Sequence, residues 1–229
     1  MRTEPLAAPK PGELLPDNLP RDPLPVVAAW LDEAVERATQ PNPNAMVLAT
    51  ADASGRPSAR VVLCKGLVLP AGYLVFYTGY RSRKGRELDA NPRACAVLHW
   101  DSLGRQVRIE GPVVRAPAAE SDVYFATRSP DSQLSAIVSA QSEPIDSRAS
   151  LLERARLKGV ELAHEARRGP ARALVRPAHW GGFRLWVERV ELWVAGPSRL
   201  HDRALWSRPL TAAGDDFTPG PWSAMRLQP

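Results

Sequence analysis

The chain has 229 residues, 44% hydrophobic and 24% charged, with a formal net charge of +5 at pH 7. That length and composition suit a globular protein with one sizeable core or two small ones. No apolar run approaches the ~18 residues a bilayer crossing needs, and Met1-Arg-Thr-Glu-Pro5 lacks the apolar core of a secretory signal, so the expected location is cytoplasmic.

Residues 1–21 are rich in proline and charge and lack periodicity, which predicts a mobile arm ahead of a single domain over 22–229. Asp22-Pro23 reads as a helix start, with Asp as cap and Pro in the first turn. Leu24, Val27, Ala28, Leu31 and Val35 follow at helical spacing, and Gln40-Pro-Asn-Pro-Asn44 ends the run. Strand patterns take over at 45–51, 60–65 and 73–78, punctuated by Asp52-Ala-Ser-Gly55 and Pro70-Ala-Gly72. A short helix is expected at 82–90, a strand at 93–100, a turn at Asp101-Ser-Leu-Gly104 and a strand at 106–115. This spacing predicts an antiparallel meander that closes into a small barrel. Residues 117–168 are helical in character, with starts at Pro117, Pro130 and residue 147. A linker over 169–177 returns the chain to strands at 183–194, 204–208 and near 222–227. The fold class is mainly β with helices packed on a barrel.

The basic residues are dispersed and interleaved with acids, which argues against nucleic-acid binding. Cys64 and Cys95 are the only cysteines. They sit in strand-like runs, cannot form a disulfide framework, and no C-x-x-C or paired-histidine spacing suggests a metal. Lysine is rare beside arginine, so Lys65 and Lys84 stand out as places where a compact point charge is wanted.

Arg199-Leu-His-Asp-Arg203 would, on a strand, carry Arg199, His201 and Arg203 on one face. Such a face is either a solvated hairpin end or a surface that meets an anion. Ser82-Arg83-Lys84 opens a helix just after Tyr77-Thr78 closes a strand. It reads either as a phosphate cradle at a helix N-terminus or as an N-cap with two solvated cations. Arg60 and Lys65, five residues apart, face opposite sides of a regular strand; each reads either as a solvated rim charge or, for Lys65 after its apolar run, as a semi-buried ammonium in need of a partner. Tyr124, Arg128 and Ser132 would share one face of an unbroken helix, but Pro130 intervenes. Trp193 reads as core, Gln106, Gln141 and Ser142 carry no signal alone, and Gly181-Gly182 permits close backbone approach.

Taken in order, Arg60-Val-Val-Leu-Cys-Lys65, Val75-Phe-Tyr-Thr78, Ser82-Arg-Lys84, Arg105-Gln-Val107, Tyr124-Phe125, Arg128, Asp131-Ser-Gln133, Ser139-Ala-Gln-Ser142, Trp180-Gly-Gly-Phe-Arg184, Glu191-Leu-Trp193 and Arg199-Leu-His-Asp-Arg203 resemble the pyridoxamine 5′-phosphate oxidase family. The resemblance spans roughly residues 22–208. It implies an FMN-binding split β-barrel, antiparallel and Greek-key-like, in a homodimer with FMN at the subunit interface. It implies FMN contacts from Arg60, Val61, Val62, Leu63, Cys64, Lys65, Tyr77, Thr78, Arg83, Lys84, Gln106, Gln141, Ser142, Trp193 and Arg203, with Arg60, Arg83, Lys84 and Ser142 at its phosphate. Lys65, Tyr124, Arg128 and Ser132 would hold a substrate phosphate, and Arg199 and His201 would lie over the reacting carbon as the catalytic pair.

The implied activity is oxidation of pyridoxamine and pyridoxine 5′-phosphates to pyridoxal 5′-phosphate, by hydride transfer from C4′ to flavin N5. O2 is the acceptor, H2O2 is released, and the amine also yields ammonia. Alternatives of the same fold are a phenazine-biosynthesis-type flavin oxidase and a non-catalytic flavin- or pyridoxal-phosphate-binding protein. Retention of Lys65, Tyr124, Arg128, Ser132, Arg199 and His201 favours the phosphorylated B6 vitamers as substrate, with no nucleic-acid or membrane partner. The arm lacks the family's Arg/Tyr-bearing lid segment, the 164–176 stretch is long and arginine-rich, and 211–220 reads as an inserted loop.

Overall fold

A computed structural model of the chain describes residues 13–168 and 174–229. Helix α1 (Leu24–Glu36) comes first. Asp22 accepts a hydrogen bond from the Leu24 N–H at 3.0 Å, although Pro23 itself occupies the capping position. The helix buries Leu24, Val27, Trp30 and Ala34. The buried stripe is turned from the expected one because Trp30 offers the largest apolar surface on the helix, while Val35 stays exposed.

Strands β1 (Ala45–Ala51) and β2 (Pro57–Leu63) form a hairpin, and β3 (Gly66–Val68) pairs with β4 (Tyr73–Gly79). Helix α2 (Arg83–Ala90) leads into β5 (Arg93–Trp100) and the 11-residue β6 (Arg105–Arg115). The helical region resolves into α3 (Ala118–Ala126), α4 (Pro130–Val138) and α5 (Arg148–Arg168). Then come β7 (Trp180–Trp186), β8 (Arg189–Val194), β9 (Asp202–Ser207), β10 (Leu210–Ala213), β11 (Asp216–Pro219) and β12 (Ser223–Leu227).

Every paired strand is antiparallel, and β6 organises the rest. Along one edge it pairs with β5 over its first eight residues. Its other edge is divided, residues 105–110 lying against β8 and residues 113–115 against β7. One wing therefore curls through β7, β4 and β3 as a half-barrel, and the other runs flat through β8, β9 and β12. Gly111 stands at the division, where an added Cβ would collide with the Trp186 carbonyl oxygen.

Alternation sends Met46, Leu48, Ala96, Leu98, Val107 and Ile109 inward. β7 is buried on both faces because α3 covers its outer side, with Ser121 accepting from the Gly182 N–H at 3.0 Å. Trp100 and Trp206 are fully buried and donate to the Pro43 and Pro20 carbonyls at 2.7 and 2.8 Å.

Three expectations are corrected. Residues 199–203 do not form a strand: Pro197–Arg199 is a 3-10 turn, Ser198 and Arg199 have φ of 54° and 64°, and β9 begins only at Asp202. Residues 211–220 are not a loop but largely the β10–β11 hairpin. It is held to the half-barrel by an Asp216–Arg184 ion pair at 2.8 Å and by Phe217 against Trp186 at 5.7 Å. Of the arm expected over 1–21, residues 1–12 lie outside the described residues, as does part of the 164–176 stretch. The remainder is laid against β9 and β12: Leu15 is buried, its N–H donates to Asp202 at 2.7 Å, and Arg226 donates to the Pro16 carbonyl at 2.8 Å.

Candidate active site

A cleft of about 840 Å³ opens where β2, the end of β4, the start of α2 and the α3–α4 turn meet. Arg60, Val61, Val62, Leu63 and Lys65 line it from one side, and Tyr77, Thr78, Arg83 and Lys84 from another. Cys64 is the exception in its run. Its thiol is buried, points to the Gly66 carbonyl at 3.6 Å, and has a pKa raised by burial. The parity argument that put Arg60 and Lys65 on opposite faces fails, because β2 stops at Leu63 and the chain turns before Lys65. Of the two readings of Lys65 the exposed one holds: the residue is exposed at the cleft wall, not semi-buried.

Among the described residues, the walls hold five cations (Arg60, Lys65, Arg83, Lys84 and Arg128) and no carboxylate. Lys84 is buried, and its Nζ meets only neutral oxygens: Gln141 Oε1 at 3.0 Å, Thr78 Oγ1 at 3.1 Å and Ser82 Oγ at 3.3 Å. Burial and the nearby Arg60 guanidinium push its pKa down to about 8, against a smaller opposing pull from Glu87. A buried ammonium without an anion in contact is costly unless a ligand supplies one. Ser82 is the N-cap, accepting from the Gly85 N–H at 3.3 Å, but of the two cations behind it only Arg83 is solvated, since Lys84 is buried and lines the cleft. Gln141 and Ser142 close this end, Ser142 with a φ of 75°.

Glu87 lies behind these cations and was not foreseen. Its carboxylate is buried and accepts from Ser58, Thr50, Arg83 and Arg60. Burial alone would raise its pKa, but those four donors outweigh it and hold the group at about 2.

The opposite end is an aromatic wall. Tyr77 and Tyr124 stack at 3.8 Å, and Trp180 stacks on Tyr77 at 5.6 Å. Arg128 lies over Trp180 with its guanidinium 4.5 Å from the ring, and Lys65 Nζ is 6.0 Å from the Tyr124 ring. Arg128 sits in the turn between α3 and α4, so the helix break at Pro130 brings Tyr124, Arg128 and Ser132 to one wall. The Nη1 of Arg128 is buried with no hydrogen-bond partner among the described residues. Gly181 and Gly182 let Tyr80 and Tyr77 approach the β7 backbone, since an added Cβ at either would clash with those rings.

The remaining candidates form a second group on the flat wing. Register places Gln106 opposite Trp193 and Trp193 opposite Arg203, in one row on the sheet's outer face. Trp193 is half-buried rather than core, and the His201 ring packs against it, tilted by 40°, with centroids 4.6 Å apart. His201 Nδ1 accepts from the Gly196 N–H at 3.3 Å, which leaves Nε2 to carry the proton of the neutral ring. Arg203 has its own counter-charge in buried Glu191, at 2.8 Å, and Arg199 is exposed. The candidate residues therefore fall into two separate groups within one chain, and none of Gln106, Trp193, Arg199, His201 or Arg203 lines the cleft.

A planar ligand ending in a phosphate fits the cleft: Lys84 contacts no anion, Arg128 Nη1 lacks an acceptor, and stacked rings line the Arg128 end.

A family model described as pyridoxamine 5′-phosphate oxidase matches residues 31–158, and one described as the pyridoxine 5′-phosphate oxidase C-terminal dimerisation region matches residues 180–229. A pyridoxine/pyridoxamine 5′-phosphate oxidase of Gluconobacter oxydans is 50% identical over 83% of this chain and 90% of its own. Another, of Rubrobacter xylanophilus, is 47% identical over 94% of this chain and 91% of its own. Among solved structures, PhzG from Burkholderia lata, in complex with tetrahydrophenazine-1-carboxylic acid, superposes with a TM-score of 0.77 at 31% identity, covering 93% of this chain and 95% of the other. An FMN binding protein from Nostoc punctiforme shares the fold, with a TM-score of 0.62 at 16% identity over 87% of this chain and 95% of its own.

Proposed function

The chain belongs to the pyridoxamine 5′-phosphate oxidase family, and on that premise we propose that it oxidises pyridoxamine and pyridoxine 5′-phosphates to pyridoxal 5′-phosphate. The amine, O2 and water give the aldehyde, ammonia and H2O2; the alcohol and O2 give the aldehyde and H2O2. FMN, held in the cleft, supplies the hydride acceptor for this chemistry.

Arg60, Arg83, Lys84 and Ser142 bind the cofactor phosphate, and Thr78 and Gln141 hold the Lys84 ammonium toward it. The backbone run Val61–Leu63 with Lys65 and Tyr77 frames the ring. Lys65, Tyr124, Arg128 and Ser132 bind the substrate phosphate at the aromatic end, which fixes the distance from that phosphate to the reacting carbon. Arg199 and His201 cover the reacting group, and Gln106, Trp193 and Arg203 complete the flavin site. Because these five stand on the flat wing, away from the cleft, they reach it from the partner subunit of a homodimer. The match of residues 180–229 to a dimerisation region supports this arrangement.

The reading is carried by the five-cation, carboxylate-free cleft, with a buried Lys84 ammonium that contacts no anion at one end and the unpartnered Arg128 Nη1 at the other. The phenazine-type alternative, favoured by the PhzG superposition, does not explain the second cationic end at Lys65 and Arg128. The test is aerobic turnover of FMN-loaded protein on each phosphorylated vitamer, followed by pyridoxal phosphate absorbance and H2O2 release. No turnover on either, with flavin fully bound, rejects the proposal.

A further inference from the structure

We propose that Glu87 is a built-in counter-ion of the cleft, which holds Arg60 and Arg83 in place of a ligand phosphate and thereby sets how tightly the site binds a dianion. The inference rests on reading this end of the cleft as the cofactor-phosphate site.

Glu87 projects from the second turn of α2, with only 5% of its side chain exposed. From α2 itself, Arg83 reaches it at 2.9 Å; from β2, Arg60 reaches it at 3.2 Å and Ser58 at 2.6 Å; from β1, Thr50 donates to it. Arg83 is otherwise 56% exposed and has no other polar partner among the described residues. Arg60 is fixed further by Thr50 Oγ1 at 2.6 Å and the Leu48 carbonyl at 3.2 Å. Lys84 completes the cluster without touching the carboxylate. Two guanidiniums thus share one buried anion that is not part of the cleft lining, with the Lys84 ammonium close by.

Such a group acts in two opposed ways. Without a ligand it offsets repulsion among Arg60, Arg83 and Lys84, and so stabilises the empty protein. With a phosphate present it competes for the same guanidinium protons and repels the incoming charge across a poorly screened interior. A purely structural carboxylate would behave otherwise: its loss would loosen the arginines and weaken binding.

Glu87→Gln keeps the size and removes the charge. Flavin-free wild-type and variant proteins are titrated with FMN and with riboflavin, which lacks the phosphate, by fluorescence quenching. The variant is expected to melt at a lower temperature when empty, yet to bind FMN about tenfold more tightly, with riboflavin affinity unchanged. Glu87→Asp, which keeps the charge, should stay near wild type. If the empty variant does not fold, protein refolded with FMN is dialysed, and slower flavin loss than from wild type is expected. Equal or weaker FMN binding, or faster loss, overturns the proposal, as does an equal shift for FMN and riboflavin. Wild-type protein that binds FMN no better than riboflavin overturns the phosphate reading and this inference with it.

Discussion

Lys84 gives the sharpest quantitative test. In the empty cleft its pKa is pushed down from the ordinary 10.5 to about 8. A phosphate dianion against the ammonium favours the charged form and returns the pKa toward 10.5 or above. Binding above pH 8 must then take up a proton, so affinity falls as pH rises. At pH 9.5 the free amine is charged in only about 3% of molecules, and FMN should bind about 30-fold more weakly than at pH 7, or about 2 kcal/mol. The plot of log Kd against pH should be flat below about 7.5 and climb with a slope near one above 8. Fluorescence titrations at constant ionic strength measure it. Lys84→Arg, which does not titrate in this range, should flatten the climb. A wild-type profile flat to pH 9.5, or an arginine variant that keeps the slope, would refute the reasoning. The same shift has a folding consequence of opposite sign: a lowered ammonium pKa means that the charged form opposes folding, so empty protein should gain stability between pH 8 and 10.5.

Arg128→Ala removes a guanidinium from the substrate end and should raise KM for pyridoxine 5′-phosphate at least about tenfold while bound flavin per subunit stays constant; flavin loss in step with KM would count against the two-phosphate layout. Arg199→Ala should lower turnover far more than FMN affinity, and equal losses would mean that its role is misassigned. Mixing unfolded Arg83→Ala and Arg199→Ala chains and refolding them together should recover about a quarter of wild-type activity, because half of the dimers are hybrids and each hybrid has one intact site; no recovery would place both half-sites on one chain. Glu87, held at about 2 against an ordinary 4.5, contributes stability that is full above 4.5 and lost as pH falls toward 2. Thermal melts of flavin-free protein should drop across that window, and an unchanged melting temperature there would contradict the buried network.

Much of this site is visible in the amino-acid sequence, because its backbone anchors are local. Ser82 before Arg83 and Lys84 is a capping pattern, and the strand ending at Tyr77-Thr78 follows from β-branched and aromatic residues bounded by a turn. What stays hidden depends on distant packing. The partnership of Glu87 with Arg60 spans 27 positions and looks like an ordinary i,i+4 surface pair with Arg83 until β1 and β2 bury it. Strand parity misplaces Lys65, since parity holds only while the strand continues, and β2 ends two residues earlier. Arg199 and His201 fail as strand neighbours because two consecutive left-handed residues, Ser198 and Arg199, turn the chain there. The β10–β11 hairpin is missed because its residues carry no apolar alternation, its position coming instead from Asp216 and Phe217 meeting β7.

The divided edge of β6 has a consequence for how the protein can vary. Its residues 105–110 align the Gln106 row, and its residues 113–115 align β7, which brings Trp180 to the cleft. A strand turns over with each residue added or removed. A single deletion between positions 110 and 113 would therefore turn the β8 wing, and with it the β5–β1–β2 side, over relative to β7. Such a change leaves every ligand-contacting side chain in place by name and puts the two halves out of phase, so the few residues around Gly111 act as a vernier between them.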